Sequence, residues 1–230
     1  MTEADTLATI PKFLTIAVLG GTGKEGSGLV LRWAHSGYRV LIGSRDAERA
    51  AAKAGELNAI LGADAIRGMS NEDAAAQADL VVLSVPYSAH KDILQSVKDH
   101  VRGKIVVDVT VPLQPPNVRT VYVPEGKAAS LEAQALLGDG ARVVAAFQNV
   151  GAAHLQELSH SVNCDVLMCS DDTEAKGEVA QLVEAIPGMR AVDAGPLANS
   201  VAVEALTPVL LYINRRYKVA GAGIRITGLE

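Results

Sequence analysis

A glycine-rich stretch near the start of the chain, residues 20–28 with the sequence GGTGKEGSG, has the residue types that bind phosphate groups. In a P-loop, a lysine and then a serine or threonine must follow the last glycine directly, so that the lysine reaches the β- and γ-phosphates. Here Ser27 follows Gly26 and Lys24 lies inside the loop, which excludes a P-loop. The other phosphate-binding pattern, G-x-G-x-x-G, is formed by Gly21, Thr22, Gly23, Lys24, Glu25 and Gly26. This pattern is typical of loops that hold the pyrophosphate of a dinucleotide.

The elements predicted around this loop strengthen that interpretation. Residues 14–19 and 38–44 are apolar runs of strand length, and the segment between them has the periodicity of an amphipathic helix. A strand feeding a glycine turn directs backbone N–H groups and the helix N-terminus at one point, where anions bind. In such a loop Gly21 allows the tight turn, Gly23 lets the backbone approach the pyrophosphate, and Gly26 lets the helix pack on the strand.

Strands and helices continue to alternate along the first part of the chain. Further strands are predicted at residues 64–69, 79–85, 104–110 and 142–150, with helices at residues 46–62, 70–78, 87–103 and 128–138. A loop with four prolines, residues 111–126, interrupts the series. Alternating strands and helices favour a parallel sheet covered by helices on both faces. We therefore predict an α/β protein with a Rossmann-type doubly wound parallel sheet.

The last third of the chain predicts a smaller α/β unit. Its strands are expected at residues 164–170, 189–195 and 222–228, and its helices at residues 171–188 and 197–218. The resulting division is a dinucleotide-binding domain over residues 12–147 and a small substrate and dimerisation domain over residues 148–230. Residues 1–10 contain two acidic and no basic residues, so we expect a lead-in segment and no signal peptide.

The composition excludes several other classes of protein. A net charge of −5 argues against a broad nucleic-acid-binding surface. No run of about 18 apolar residues is present, so we expect no transmembrane helix. Cys164 and Cys169 lie in an apolar run and are expected to be buried, reduced thiols of a cytoplasmic protein. Two cysteines are too few for a zinc site, and we expect no metal.

The end of the second predicted strand indicates which dinucleotide binds. An NAD enzyme usually has a carboxylate there, which accepts hydrogen bonds from the ribose. This chain has Ser44 and Arg45 instead, with Arg49 one helical turn further on, and Asp46 is expected to cap the next helix. A hydroxyl and a guanidinium would bind the 2′-phosphate of NADP(H) by charge-assisted hydrogen bonds. The sequence therefore favours NADP(H) over NAD(H).

No catalytic acid or base is evident in the sequence. His35, His90 and His100 fall on predicted helices and are expected at the surface, while His154 and His160 lie in or near the second unit. No Ser-His-Asp set is evident, and the tyrosines and lysine of residues 212–218 do not have the Tyr-x-x-x-Lys spacing of short-chain dehydrogenases. An oxidoreductase without such groups suggests an acceptor that is itself a redox cofactor. We therefore predict no catalytic side chain.

Several segments together resemble the NADPH-dependent reductases of coenzyme F420, an 8-hydroxy-5-deazaflavin. The resemblance covers nearly the whole chain after Pro11, and its most specific segment is VDAGPLANSVAVEALTPVLLYI, which no generic nucleotide fold requires. The other segments are AVLGGTGKEGSGLVLRWA, GSRDAERAAAKA, GMSNEDAAAQADLVVLSVPY and CSDDTEAKGEVAQLVE. The resemblance implies hydride transfer between NADP(H) and F420, a nucleotide domain followed by a small deazaflavin-binding domain, and a homodimer.

The resemblance also implies roles for individual residues. The pyrophosphate would lie against Gly21, Thr22, Gly23, Lys24 and Glu25, and the 2′-phosphate against Ser44, Arg45 and Arg49. Val85, Pro86 and Val150 would flank the rest of the cofactor. Substrate-binding residues would be Gln148, Gly151, Gly195 and Asn199.

One stretch departs from the family pattern. The family typically has a His-Thr-Ile-Pro-like run after the sixth strand, whereas this chain has Gln148, Asn149, Val150 and Gly151. A flavin or another small acceptor is therefore the alternative to the deazaflavin, and a non-catalytic NADP(H)-binding redox sensor is a second alternative. Pyrroline-5-carboxylate and imine reductases have a similar first domain, but the long helical dimerisation region of those enzymes has no counterpart here.

Overall fold

The computed structural model of the protein describes residues 14–229. Within this range eight strands form two sheets. The strands are β1 (Thr15–Leu19), β2 (Arg39–Ser44), β3 (Ile66–Ser70), β4 (Leu80–Leu83), β5 (Ile105–Asp108), β6 (Arg142–Ala145), β7 (Cys164–Met168) and β8 (Met189–Asp193). The helices are α1 (Lys24–His35), α2 (Ala47–Leu61), α3 (Asn71–Gln77), α4 (Tyr87–Val97), α5 (Ala129–Leu137), α6 (Ala152–Leu155), α7 (Thr173–Glu184) and α8 (Ser200–Tyr217).

The main sheet is parallel throughout and has the strand order β3-β2-β1-β4-β5-β6. The central strands β4 and β5 are buried at every residue, and β1 is buried at all but its first. Helices cover both faces of these strands, which explains why they appear as unbroken apolar runs in the sequence. Separate apolar clusters on the two faces of the sheet are covered by different helices. The predicted doubly wound sheet is therefore confirmed.

The predicted helix boundaries are largely confirmed by their caps. Asp46 accepts a hydrogen bond from the backbone N–H of Arg49 and caps α2 as expected, and Ser70 caps α3 by accepting from the N–H of Asp73. Gly37, which has φ +95°, follows the end of α1.

The predicted strand over residues 222–228 is wrong, because no strand is formed there. The buried carboxylate of Asp165 instead holds this segment, accepting from the N–H of Ile226 at 2.7 Å and from Arg225 at 2.6 Å. Arg190 donates two further hydrogen bonds to the same carboxylate and holds the pKa of Asp165 well below its usual range. Asp165 therefore anchors the C-terminal segment mainly through its charged side chain, beside one backbone hydrogen bond from its N–H to the carbonyl of Ile224 at 2.8 Å.

The second sheet, β7 and β8, is joined to the main one. Ala145 and Cys169 exchange two backbone hydrogen bonds of 2.9 and 3.0 Å, and the indole N–H of Trp33 donates to the carbonyl of Leu182 at 2.9 Å. One apolar cluster contains residues from both parts of the chain. The boundary predicted between residues 147 and 148 lies in the segment that connects β6 of the main sheet to β7 of the second sheet. The division into two domains stays a proposal. The predicted lead-in, residues 1–10, and both outer domain limits lie outside the described residues.

The segment Leu197–Tyr217, which contains α8, is long and apolar enough to cross a membrane by length and composition. One such helix is weak evidence for a span, because core helices of soluble proteins pass the same test. In this structure Glu204 lies buried in the second turn of α8 and accepts hydrogen bonds from the first turn of α5. The expected absence of a transmembrane helix stays a prediction.

Candidate active site

The glycine loop connects β1 to α1 at the carboxyl edge of the main sheet. Gly20 has φ +80°, and a side chain there would overlap the carbonyl of Ser84, so the turn requires glycine one position earlier than expected. A Cβ on Gly26 would lie 2.7 Å from the carbonyl oxygen of Gly20, which explains why the helix can pack this closely only with glycine. Gly23 is exposed, has φ −76° and is the N-cap of α1 without any side-chain cap. The first turn of α1 therefore presents backbone N–H groups to a ligand.

A cavity of about 910 Å³ begins at this loop. Gly23, Lys24 and Glu25 line one end of it, while α8 and the segment before residue 223 line the other. The proline-rich loop forms a further wall, through residues such as Leu113. Burial raises the pKa of Glu25 to about 8, so this carboxyl group is largely protonated at neutral pH.

The wall after β6 begins with an unusual turn. Phe147 has φ +72°, a rare conformation for a residue with a side chain, and its ring packs edge-on against Trp33 with centroids 5.6 Å apart. The turn closes with a hydrogen bond from the N–H of Val150 to the carbonyl of Phe147. Gln148, within this turn, and Gly151, directly after it, both line the cavity.

A buried His–Asp pair lies behind this wall, and it corrects the expectation that His90 is at the surface. His90 is 1% exposed, and its Nε2 lies 2.7 Å from Oδ2 of Asp108 at the end of β5. Burial opposes the charged imidazolium, but the Asp108 carboxylate outweighs burial and raises the pKa of His90. Sequence periodicity missed the pair, because α4 turns this histidine towards the sheet.

Two more acidic side chains lie near this pair. Glu204 of α8 accepts from the N–H groups of Ala129 and Ser130 and so caps α5. Burial, with a contribution from Asp108, raises the pKa of Glu204 to about 7. The hydroxyl of Tyr87, a cavity residue, donates to Glu132 at 2.9 Å. No local sequence pattern predicts these contacts, since they join residues that lie far apart in the chain.

The residues predicted to bind a 2′-phosphate lie at the carboxyl end of β2. Ser44 ends the strand, Arg45 follows it, and Arg49 lies in the first turn of α2. Both arginine side chains are exposed, and neither forms an ion pair with any residue that the structure describes. They are therefore free to contact an anion at the sheet edge next to the glycine loop.

The structure brings most of the predicted site residues together. The cavity is lined by Gly23, Lys24, Glu25, Val85, Pro86, Gln148, Val150 and Gly151. Gly21 and Thr22 lie in the same loop but outside the lining. Gly195 and Asn199 also lie outside it, and Asn199 donates instead to the carbonyl of Ala194 at 2.7 Å. Their predicted role in substrate binding stays a prediction.

His154 and His160 are engaged in holding the loop after β6. Their rings stack with centroids 4.6 Å apart, and Nε2 of His154 lies 3.2 Å from the carbonyl of Gly221. Neither is among the residues that line the cavity. The expectation that neither is a general acid or base stays a prediction.

The described residues contain no group of three or more histidine, cysteine, aspartate or glutamate side chains that could hold a metal ion. Cys164 and Cys169 are buried and unbridged as predicted, and burial raises the pKa of both thiols, that of Cys169 to about 11.

Comparison with known proteins gives a consistent result. The family described as "NADP oxidoreductase coenzyme F420-dependent" matches residues 15–112. The F420-dependent NADP reductase of Methanothermobacter thermautotrophicus is 46% identical over 222 residues, covering 94% of this chain and 96% of the relative. The enzyme of the same name from Methanocaldococcus jannaschii is 43% identical over 225 residues, covering 94% of this chain and all of the relative.

A solved structure is also similar over almost the whole chain. It is that of a candidate F420-dependent NADP reductase from Arthrobacter sp. FB24, with a TM-score of 0.78 and 26% sequence identity. The match covers 93% of this chain and 99% of the solved one. The similarity therefore includes the small second sheet and α8 as well as the main sheet.

Proposed function

Because the chain belongs to the F420-dependent NADP reductases, we propose that it transfers a hydride between NADP(H) and coenzyme F420 in one continuous cavity. It is an NADP-dependent oxidoreductase with F420 as co-substrate. The observation that carries the proposal is the extent of the cavity, which runs from the glycine loop to α8. Its volume of about 910 Å³ is near the upper end of the range for small-molecule sites, about 300–1,000 Å³.

The glycine loop fits the pyrophosphate of NADP(H). The uncapped first turn of α1 offers N–H donors, and the exposed Gly23 leaves room for the phosphates to approach the backbone. We propose that Thr22, Lys24 and Glu25 complete this binding site. Ser44, Arg45 and Arg49 would then hold the 2′-phosphate, since an arginine fork suits a phosphate group and no carboxylate ends β2.

The acceptor end of the cavity is suited to positioning two rings. Bound NADPH supplies the hydride, and what the chain must do is hold the reacting carbons about 3–3.5 Å apart. The cavity wall there is small and uncharged, with Val150, Gly151, Ala152 and Ala153. We therefore propose that no side chain acts as a general acid or base, and that His160→Ala lowers turnover by less than the roughly 10²–10⁴-fold typical of such a loss.

The direct test is turnover with defined acceptors. NADPH oxidation would be followed by its absorbance with oxidised F420 and, separately, with FMN. We expect turnover with F420 to exceed turnover with FMN. Faster turnover with FMN would identify a flavin reductase instead. Tight NADPH binding without turnover on either acceptor would indicate the non-catalytic sensor.

A glycine variant tests where the acceptor binds. A Cβ on Gly151 would lie 2.9 Å from Cα of Gly221, so Gly151→Ala should displace the C-terminal segment from the cavity. We expect it to raise the KM for F420 and lower turnover while the Kd for NADPH stays nearly unchanged. Gly177→Ala is the control, because a Cβ at Gly177 in α7 meets nothing within 4 Å. Equal effects of the two variants would contradict this placement.

We also propose a homodimer built on α8. Val209 and Tyr212 of this helix are 45% and 57% exposed, which leaves an apolar face uncovered by the chain itself. Light scattering at micromolar concentration should give twice the chain mass of 24.0 kDa. Tyr212→Glu should shift the protein towards the monomer, whereas Ile60→Glu at an exposed position of α2 should not. A monomeric unmodified protein would contradict the proposal.

A cytoplasmic location, which the reduced thiols favour, is likewise proposed.

A further inference from the structure

Two buried oxygen atoms beside the cavity have no hydrogen-bond partner within the described structure. They are Oγ1 of Thr110 and Oε1 of Gln148, and each residue is 3% exposed. Both residues line the cavity. Native proteins seldom leave buried polar atoms unpaired, because each one loses its hydration without compensation. Two such atoms at one cavity therefore indicate a ligand that supplies the missing partners.

The geometry determines which kind of partner each residue can take. The amide nitrogen of Gln148 donates to the backbone carbonyl of Asp108 at 2.8 Å. Since a carbonyl only accepts, the amide cannot be flipped, and Oε1 of Gln148 is left as an acceptor. The hydroxyl of Thr110 can donate its proton. The two residues follow the ends of the neighbouring strands β5 and β6, and both form hydrogen bonds to Asp108, which brings an acceptor and a donor to the same end of the sheet.

Asp108 holds both residues in place. Its carbonyl receives the Gln148 amide, and its Oδ1 accepts from the N–H of Thr110 at 3.0 Å. Its other carboxylate oxygen is paired with the buried His90 at 2.7 Å. Asp108 is therefore a positioning residue, which fixes the acceptor and the donor relative to each other.

We propose that Gln148 and Thr110 bind the carboxamide of the nicotinamide ring. This proposal rests on the proposed function, because it presumes that NADP(H) occupies the cavity. The carboxamide N–H would donate to Oε1 of Gln148, and the carboxamide oxygen would accept from the Thr110 hydroxyl. The two contacts set the plane of the ring and therefore the direction in which its hydride faces.

The path of the dinucleotide favours nicotinamide over the deazaflavin as the occupant. The pyrophosphate site lies after β1, the cavity continues past Ser84 and Val85 after β4, and the next strands in the sheet are β5 and β6. A dinucleotide that follows this edge reaches Thr110 and Gln148 with its nicotinamide end. The deazaflavin is then left with the α8 side of the cavity.

The first test compares two oxidised nucleotides by calorimetry, without any acceptor. The 3-acetylpyridine analogue of NADP⁺ has a methyl group in place of the carboxamide NH₂, so it cannot donate to Gln148. Unmodified protein should bind NADP⁺ more tightly than this analogue by roughly two- to tenfold, the worth of one hydrogen bond. In Gln148→Met, which keeps the side-chain length, this preference should disappear.

The second test uses the thionicotinamide analogue, whose sulfur is a poor acceptor. Thr110→Val should abolish the preference of the protein for NADP⁺ over this analogue while leaving the preference over the acetylpyridine analogue. Because the Thr110 hydroxyl is unpaired in the free protein, Thr110→Val should not lower its stability to urea. A residue with only a structural role would not move an analogue preference, so this readout separates the two roles.

Ser200→Ala is the matched control, since Ser200 also has a buried, unpaired hydroxyl but lies outside the cavity lining. It should leave both preferences unchanged. The proposal is overturned if Gln148→Met and Thr110→Val retain the preferences of the unmodified protein, or if they raise only the KM for F420. If Gln148→Met does not fold, the Thr110→Val comparison decides. Loss of F420 turnover with intact analogue preferences would contradict the proposed function alone.

Discussion

The guanidinium of Arg32 donates a hydrogen bond to the backbone carbonyl of His154 at 2.7 Å, although 122 residues separate the two in the sequence. Arg32 is buried at the end of α1, and four more carbonyls accept from it, those of Leu155, Glu157, Leu158 and His160. One side chain of α1 therefore organises the loop that follows the cavity wall. The planar, five-donor guanidinium suits this role, and an ammonium group does not.

We expect Arg32→Met to lower the free energy of unfolding by about 2–4 kcal/mol, because one buried and four partly buried carbonyls lose their donor. Arg32→Lys should recover only part of this loss, since one ammonium cannot reach five carbonyls. Urea denaturation measures both changes. Arg39→Met is the control, since Arg39 is exposed at the start of β2, and it should change stability by less than about 0.5 kcal/mol. An unchanged midpoint for Arg32→Met would contradict this role.

Substitutions at two glycines of the loop between β1 and α1 should affect NADPH binding and folding stability separately. Gly23→Val should abolish binding of NADPH in a folded protein, since Gly23 is exposed and its nearest obstacle, the Gly20 carbonyl, is 3.3 Å from a Cβ. Gly26→Val should instead lower the urea midpoint, because its Cβ would lie 2.7 Å from the same carbonyl. Calorimetry and urea denaturation of both variants check this. Normal NADPH affinity in Gly23→Val would show that the loop is only a turn.

Cofactor choice should depend on Arg45. Losing a charged hydrogen bond costs about 1.5–3 kcal/mol, so Arg45→Ala should weaken NADPH binding about ten- to a hundredfold and leave NADH binding nearly unchanged. Arg39→Ala, at the opposite end of β2, should affect neither cofactor. The Kd values for both nucleotides are the measurement. Equal losses of NADPH and NADH affinity in Arg45→Ala would rule out a contact with the 2′-phosphate.

Protonation of Glu25 should make stability depend on pH. Its pKa is raised from 4.5 to about 8 in the folded protein, so the folded state binds more protons than the unfolded state between these values. Stability without nucleotide should therefore fall as pH rises from 5.5 to 8.5. We expect a loss of about 1–3 kcal/mol, less than the full shift implies because Glu25 retains partial contact with water.

Glu25→Gln removes the titrating group and is the variant that checks this assignment. Its urea midpoint should vary less between pH 5.5 and 8.5 than that of the unmodified protein. Glu48→Gln, at an exposed position in the first turn of α2, should leave the pH dependence unchanged. Parallel pH profiles for Glu25→Gln and the unmodified protein would show that another group is responsible.

The sequence by itself determined the parts of the protein that depend on local pattern. The eight strands, the caps at Asp46 and Ser70, and the glycine loop all follow from residue type and periodicity over a few positions. Burial on both faces makes the strands continuous apolar runs, so their parallel arrangement was predictable as well. The likeness of the long segments to a reductase family then indicated the reaction.

Only the tertiary structure decided which distant residues meet, because such contacts leave no periodic signal. Nothing local places His90 against Asp108, caps α5 with Glu204, or gathers five carbonyls around Arg32. The strand predicted over residues 222–228 was wrong for the same reason. Its alternating pattern suits a strand, but the buried carboxylate of Asp165 satisfies the segment through Arg225 and Ile226 instead. In this segment, the hydrogen bonds that Arg225 and the N–H of Ile226 donate to the Asp165 carboxylate outweighed the local preference for a strand.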